Sequence, residues 1–361
     1  MTSPYTIAIA NVPHFGPVTN AKLFAAYEKP EDVWTASADE LVLAGVRPQD
    51  INKFLDFRAQ HEPQEFLTIM EKHGIRAVTI CDDEYPEMLK TIHTPPTLLF
   101  IKGVLPPVTK KHLAMVGSRH ATIYGLRTAK KLAFDCANAG IIVVSGLAYG
   151  IDEASHRGAL DAHGITLAVL GSGLLGIDNP RHYELSDAII AGGGAMISEF
   201  TFGMPPLGQN FPIRNRIVAG MCHGTIAIEA GIPSGTLLTT TSATSENREV
   251  FAVPGMIDSK MSLGTNALLK DGAHFVTEAR DIFEVFGMDV APSASATAFL
   301  PIGRSPDEIA LFAQLGAEPV HVDVAIEKAR LSTTAGSIAL TGLELLGVIE
   351  DIGGKQFVRK D

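Results

Sequence analysis

Two arginines, an amide and an aromatic ring fall within the six residues Phe211-Pro212-Ile213-Arg214-Asn215-Arg216. Guanidinium groups bind phosphate oxygens and an aromatic face accepts a base, so the combination suits a nucleotide or a nucleic acid. Three glycine-bearing turns accompany it: Gly117-Ser118-Arg119, Ser145 to Asp152 (Ser-Gly-Leu-Ala-Tyr-Gly-Ile-Asp), and Glu229 to Thr236 (Glu-Ala-Gly-Ile-Pro-Ser-Gly-Thr). Each follows a short apolar run, and such turns gather backbone N–H groups and helix N-termini at one sheet edge, where phosphate binds. Arg119, directly after Gly117-Ser118, is expected to clamp a phosphate. Two other readings compete. Phe211 also suits a core position beside helix-start cations that pair with acids. Glu229 with Arg214 and Arg216 also suits an arginine–carboxylate pair that binds a free nucleotide or cleaves its N-glycosidic bond. In the first, nucleic-acid reading, Glu229 positions the loop holding Ser234, Gly235 and Thr236.

Other motifs lead elsewhere or nowhere. Gly171 to Gly176 spells GxGxxG after an apolar strand, but Asp178-Asn179-Pro180 delays the next helix, so a pyrophosphate would lack its helix N-terminus. A structural turn at the rim is expected instead. The Gly231 to Thr236 loop lacks the lysine of a phosphate-binding P-loop, and neither GxSxG nor HExxH occurs. His156 and His163 read as helix-face residues, and Asp152 with His156, one helical turn apart, reads as capping and side-chain pairing. Neither a cofactor nor a metal is expected. Cys81, Cys136 and Cys222 are far apart beside apolar stretches and read as buried free thiols in a reducing compartment.

The elements that must position these residues alternate strand and helix. Nearly continuous apolar runs at Leu113–Gly117, Ile141–Ser145, Thr166–Leu170, Ala195–Glu199, Gly224–Ile228, Val250–Val253 and His274–Val276 predict parallel strands covered on both faces. Helices fall between, one of them over Tyr124–Ala139. Residues 1–80 read as short helices punctuated by Gly16-Pro17 and Gly45-Val46; their acidic or neutral flanks favour a structural bundle over a helix-hairpin-helix DNA contact. Residues 75–109 bridge to the core, which ends near 287. The Ala/Ser/Pro-rich stretch 288–305 reads as a flexible linker. Residues 306–361 then show three helical stretches and a hairpin, a winged-helix pattern, with no Lys or Arg in the reading stretch Thr333–Leu346.

The net charge of −11 opposes a polyanionic partner at first sight. Residues 110–287, however, carry 14 Lys/Arg against 16 Asp/Glu, while residues 1–109 carry 9 against 14. Lys110, Lys111, Arg119, Arg127, Lys130, Lys131, Arg214 and Arg216 are expected to form a local basic groove, because screening confines charge effects to roughly 8–10 Å. No leader pattern is present and no apolar run approaches about 18 residues, so a soluble, cytoplasmic protein without a membrane contact is expected.

Taken in order, the segments resemble the DNA-processing protein A (DprA/Smf) family. The resemblance is carried by Gly117-Ser118-Arg119 with Tyr124-Gly125, Ser145-Gly146-Leu147-Ala148 through Gly150-Ile151-Asp152, Ala168 to Gly171, and Ile197-Ser198-Glu199. It continues through Phe211-Pro212 with Arg214-Asn215-Arg216, Glu229-Ala230 with Ser234-Gly235-Thr236, Val250 to Gly255, and Gly264 to Leu268. It implies an α/β fold: an extended Rossmann-like, doubly wound, mostly parallel sheet over 81–287. An N-terminal helical (SAM/helix-hairpin-helix-like) domain and a C-terminal winged-helix-like domain flank that sheet. It implies a non-enzymatic mediator that binds and shields single-stranded DNA, helps load the RecA recombinase in natural transformation, and forms a homodimer through the Rossmann core. It places the DNA at Arg119, Arg181, Phe211, Arg214, Asn215 and Arg216, with backbone amides around Gly117-Ser118 and Ser145-Gly146. One departure stands out: Leu207-Gly208-Gln209-Asn210 supplies no basic residue before Phe211, where the family often has one.

Overall fold

A computed structural model describes residues 3–289 except 14, 108 and 178, and residues 305–359 except 317. The expected linker falls mostly outside these described residues. Two compact units divide the chain, residues 1–289 and 290–361.

In the first unit, proline sets the helix starts. Pro4–Ala10, Pro17–Ala26, Pro30–Thr35, Pro48–Gln60 and Pro63–His73 all begin on proline, whose fixed φ and missing N–H cost nothing in a first turn. The remaining helix of this region, Ala38–Leu43, starts with a reciprocal capping box between Ser37 and Glu40. Trp34, Phe15 and Phe54 pack at centroid separations of 5.4 and 5.7 Å. Arg58 donates to the carbonyls of Trp34 and Ala36, and Arg47 pairs with Asp50 at 2.6 Å, so these cations hold the bundle itself. The bundle and one end of the sheet share a single apolar cluster that includes Leu98, Phe100, Leu170 and Phe202.

The sheet has nine strands: β1 (Ile75–Thr79), β2 (Leu98–Gly103), β3 (His112–Val116), β4 (Ile142–Ser145), β5 (Thr166–Val169), β6 (Ala195–Ser198), β7 (Gly224–Ala227), β8 (Glu249–Ala252) and β9 (His274–Phe275). Their order is β1-β2-β6-β5-β4-β3-β7-β8-β9, parallel from β6 to β9. The bridging segment is therefore part of the sheet, because β1 and β2 add an antiparallel hairpin along β6. Tyr85 fixes the turn between them, donating its hydroxyl to the Pro96 carbonyl at 2.6 Å. Side chains alternate across the sheet. Leu113, Met115 and Val143 face the helix Ile123–Asn138 through Ala129, Leu132 and Cys136, whereas Ala114, Val116 and Val144 face the helix Asn210–Gly220 through Ile217 and Val218. Each fully buried large residue, such as Phe100 or Phe251, contributes on the order of 2 kcal/mol.

The chain leaves β3 toward one face and β7 toward the other, where the helix Gly235–Ser245 packs beside Asn210–Gly220. The carboxyl ends of β3 and β7 thus flank a topological switch point, the usual ligand crevice of such sheets. Cys136 and Cys222 are buried as expected, but Cys81 is exposed, because the turn after β1 carries it out of the sheet.

His156, on the helix Ile151–Asp161, is buried with Nδ1 2.7 Å from the Thr166 hydroxyl. Burial pushes its pKa from 6.5 down to about 3, and the Arg214 charge acts in the same direction. The folded chain thus refuses a proton that the unfolded chain takes below pH 6.5. Stability is complete above that value and is expected to fall by about 1.4 kcal/mol per pH unit on acidification toward about pH 3. Urea midpoints across this window check the point: a His156→Asn variant should show a flatter dependence, and an unchanged slope would assign the loss to other groups.

The second unit is a winged helix. Helices Pro306–Phe312, Val322–Lys328 and Thr333–Leu345 enclose Leu311, Phe312, Ile326 and Leu343 against a three-stranded sheet of β10 (Val320–His321), β11 (Ile349–Asp351) and β12 (Gln356–Arg359), in the order β10-β12-β11. The third helix exposes Ile338 and Leu345 and carries no cation, which argues against major-groove reading.

Candidate nucleic-acid interface

Four segments meet at the carboxyl edge of the parallel sheet. Residues 117–122 follow β3, and Ser118 N–H donates to the Glu229 carbonyl after β7 at 2.8 Å, tying the two sides of the switch point. The Glu229 side chain, 3% exposed, reaches back to accept from Thr122 N–H at 2.8 Å and from the Thr122 hydroxyl at 2.5 Å. Thr122 in turn caps the helix Ile123–Asn138, and a Cβ on Gly125 would stand 2.4 Å from the Glu229 carboxylate. Glu229 therefore positions the Arg119 loop. Its expected role at the Ser234 loop is a correction: Ser234 caps its own helix by accepting from Thr236 N–H at 3.1 Å, with Gly235 opening that helix and Thr236 buried on it.

Arg119 is exposed, and its guanidinium lies over the Phe211 ring at 4.5 Å from the centroid. It makes no ion pair among the described residues. Arg214 lies 5.8 Å from the same ring and is only 4% exposed. The floor under the ring is Gly171, where a Cβ would stand 2.9 Å from Phe211. Phe211 thus has two guanidinium groups near its ring, the buried one of Arg214 and the exposed one of Arg119.

The structure turns several expected contacts inward. Arg214 donates to the carbonyls of Gly146 (2.8 Å) and Val169 and to the Asn215 side chain (3.2 Å), so it is a positioning residue and not a phosphate clamp. Gly146 is required there because a Cβ would lie 2.5 Å from the guanidinium. Burial lowers the Arg214 pKa to about 10 against the opposing pull of Asp152, and the Arg119 charge lowers it further. Asp152 is itself raised by burial, with Arg214 and the N–H groups of Ala148 and Gly146 opposing. Desolvation outweighs attraction on both sides of this pair. The Gly146 amide is held by Asp152 at 3.1 Å and the Ser118 amide by Glu229, so neither is free for phosphate. The Ser145 hydroxyl is buried on the Met115 carbonyl, and Gly117 leaves room for Ile151.

Arg216 pairs with Glu199, a side chain 4% exposed, and donates to the Thr94 carbonyl at 2.6 Å. Burial raises Glu199 to about 7 although Arg216 pulls it down. The arginine–glutamate pair of the nucleotide-cleaving reading is therefore not assembled, since Glu229 is engaged by Thr122 and Arg216 by Glu199. Glu199, which ends the Ile197-Ser198-Glu199 segment at the same edge, is thus the buried partner of Arg216. Arg181 is exposed and bonds twice to Glu153 Oε1, at 2.8 Å through Nε and through a terminal nitrogen. The expected basic groove is dispersed as well. Lys110 and Lys111 precede β3 and lie at the opposite edge, while Lys130 and Lys131 pair with Asp161 and Asp135 at 2.8 and 3.0 Å. The turn Gly171–Gly176 is structural, because Cβ atoms at Gly173 and Gly176 would meet the carbonyls of Thr201 and Met204 at 1.9 and 2.0 Å.

Comparison with known proteins fits this frame of loops. Residues 76–287 match the family model of DNA recombination-mediator protein A, and residues 292–355 match the DprA winged helix domain. The chain belongs to the DprA/Smf family. Protein Smf of Escherichia coli is 36% identical over 327 residues, covering 88% of this chain and 86% of that protein. The crystal structure of DNA processing protein A from Streptococcus pneumoniae superposes with a TM-score of 0.66 at 33% identity, over 78% of this chain and 98% of that one. A structure of DNA processing protein A from Helicobacter pylori shares the fold with a TM-score of 0.51 at 24% identity, over 58% and 95% of the two chains. The DprA/Smf frame accounts for both units, the mostly parallel sheet and the winged helix. No helix among the described residues is long and apolar enough to cross a membrane.

Proposed function

We propose that this chain binds single-stranded DNA along the carboxyl edge of its sheet, shields it, and helps load the RecA recombinase, acting as a homodimer through the Rossmann core. Family membership supports a role in DNA recombination, and the Helicobacter pylori relative is described by its single-stranded DNA binding mode. The observation that carries the reading is Arg119: an exposed guanidinium at the switch point, over the Phe211 ring, with a second cation near that ring and no acid of its own among the described residues. A phosphate meets Arg119, and a base stacks on the outer face of the Arg119–Phe211 pair, which a splayed single strand reaches and a stiff duplex does not.

Fluorescence anisotropy of the full chain with a labelled single strand and its duplex, titrated at rising salt, tests this. Preferential binding of the single strand is expected, with affinity falling as salt rises. Equal affinity for both forms, or none at low salt, would overturn it. Recombinase loading is read separately, as faster RecA filament assembly on strands already covered by a single-strand binding protein.

A further inference from the structure

Position 149 takes no part in the motif that the loop after β4 otherwise spells, yet the fold presents its side chain prominently. Leu147, with φ +56°, turns into the core and is 4% exposed, whereas Tyr149, two residues later, is 41% exposed at the carboxyl edge. Gly150 makes this arrangement possible. Its φ is +79°, and a Cβ there would stand 2.3 Å from the Ser118 carbonyl and 3.0 Å from that of Arg119. The Tyr149 loop therefore lies directly against the Arg119 loop.

The tyrosine is also held in place. Its ring sits 4.7 Å from that of His182 at an interplanar angle of 40°, and the Asn179 side-chain amide donates to its hydroxyl. Asn179 also caps the helix Pro180–Ala191 by accepting from Arg181 N–H at 2.9 Å, so the residue that braces the tyrosine is itself fixed at a helix start. An exposed ring costs little to offer to a base when its rotamer is already fixed by neighbours. We propose that Tyr149, braced by His182 and Asn179, is a second stacking platform, taking a nucleobase of a single strand that runs from Arg119 toward Arg181. This rests on the single-strand reading above. The segment before Phe211 carries no cation, and the platform adds affinity that does not depend on charge.

The test measures affinity and salt dependence for wild type and for Tyr149→Ala, Tyr149→Trp and Arg119→Ala, using the full chain and a labelled thymidine single strand. Strands carrying one 2-aminopurine at successive positions report stacking by quenching. Tyr149→Ala is expected to weaken binding by roughly 5- to 150-fold, the range found for losing one stacked base. It should leave the slope of log affinity on log salt unchanged, because no phosphate contact is removed. Tyr149→Trp should restore affinity and quench one 2-aminopurine position more strongly than wild type. A Tyr149→Ala protein that binds as wild type, or a tryptophan variant that rescues nothing, would sink the platform. If wild type binds single strands and Arg119→Ala weakens them while Tyr149→Ala does not, the platform alone fails. If wild type binds no single strand, both readings fail.

Discussion

Replacing Arg214 by alanine is expected to lower the stability of the first unit by about 3–5 kcal/mol, because two buried carbonyls lose their donor at a cost of about 1–3 kcal/mol each and a buried carboxylate loses its main opposing charge. Arg214 fills the space over Gly146, holds two carbonyls from adjacent strand ends, and is the opposite charge that most offsets the burial of Asp152. Removing it leaves those carbonyls unsatisfied and Asp152 uncompensated. Urea denaturation provides the measurement. The double variant Arg214→Ala/Asp152→Asn should recover part of the loss, because it removes the orphaned charge. An Arg214→Ala protein with an unchanged midpoint and weakened DNA binding would instead return Arg214 to the role of phosphate clamp.

Arg119→Ala is expected to behave in the opposite way. Arg119 is exposed and holds no carbonyl or acid among the described residues, so the urea midpoint should correspond to a change within about 0.5 kcal/mol. Single-strand affinity should fall by about 2 kcal/mol, roughly 30-fold, as a charged hydrogen bond to phosphate and a stacking plane are lost together. The slope of log affinity on log salt should drop by about 0.7, the value for one phosphate contact on a single strand. Arg119→Lys separates the two contributions, because lysine keeps the point charge but not the planar guanidinium. It should restore the salt slope and only part of the affinity. If Arg119→Ala changes neither quantity, the strand does not pass the switch point. Arg216→Ala is a poor companion variant, since it strands Glu199 in the protein interior.

Much of this protein was legible in the order of its residues. Apolar runs of three to five residues, separated by helices of the right length, fix a parallel sheet covered on both faces, and their positions agree with β3 to β9 to within two residues at either end. Prolines and Ser37 start the N-terminal helices, and the segments from Gly117 to Leu268 carry the family. These signals are local or periodic, so a linear sequence can hold them. The direction in which each arginine points is neither. Arg119, Arg214 and Arg216 look alike in sequence, each a cation near a glycine or an aromatic. Only the assembled sheet places Asp152 near Arg214, Glu199 on Arg216, and no acid among the described residues on Arg119. Glu229 likewise serves a loop 107 residues away in the chain, through the pairing of β3 with β7. Burial decides these roles, because a guanidinium taken out of water must find carbonyls or a carboxylate, whereas one left at the rim keeps its charge for a ligand. Burial is a property of the closed fold, and so the sequence alone determined which groups stand at this edge, and the tertiary structure decided which of them stays exposed at the rim.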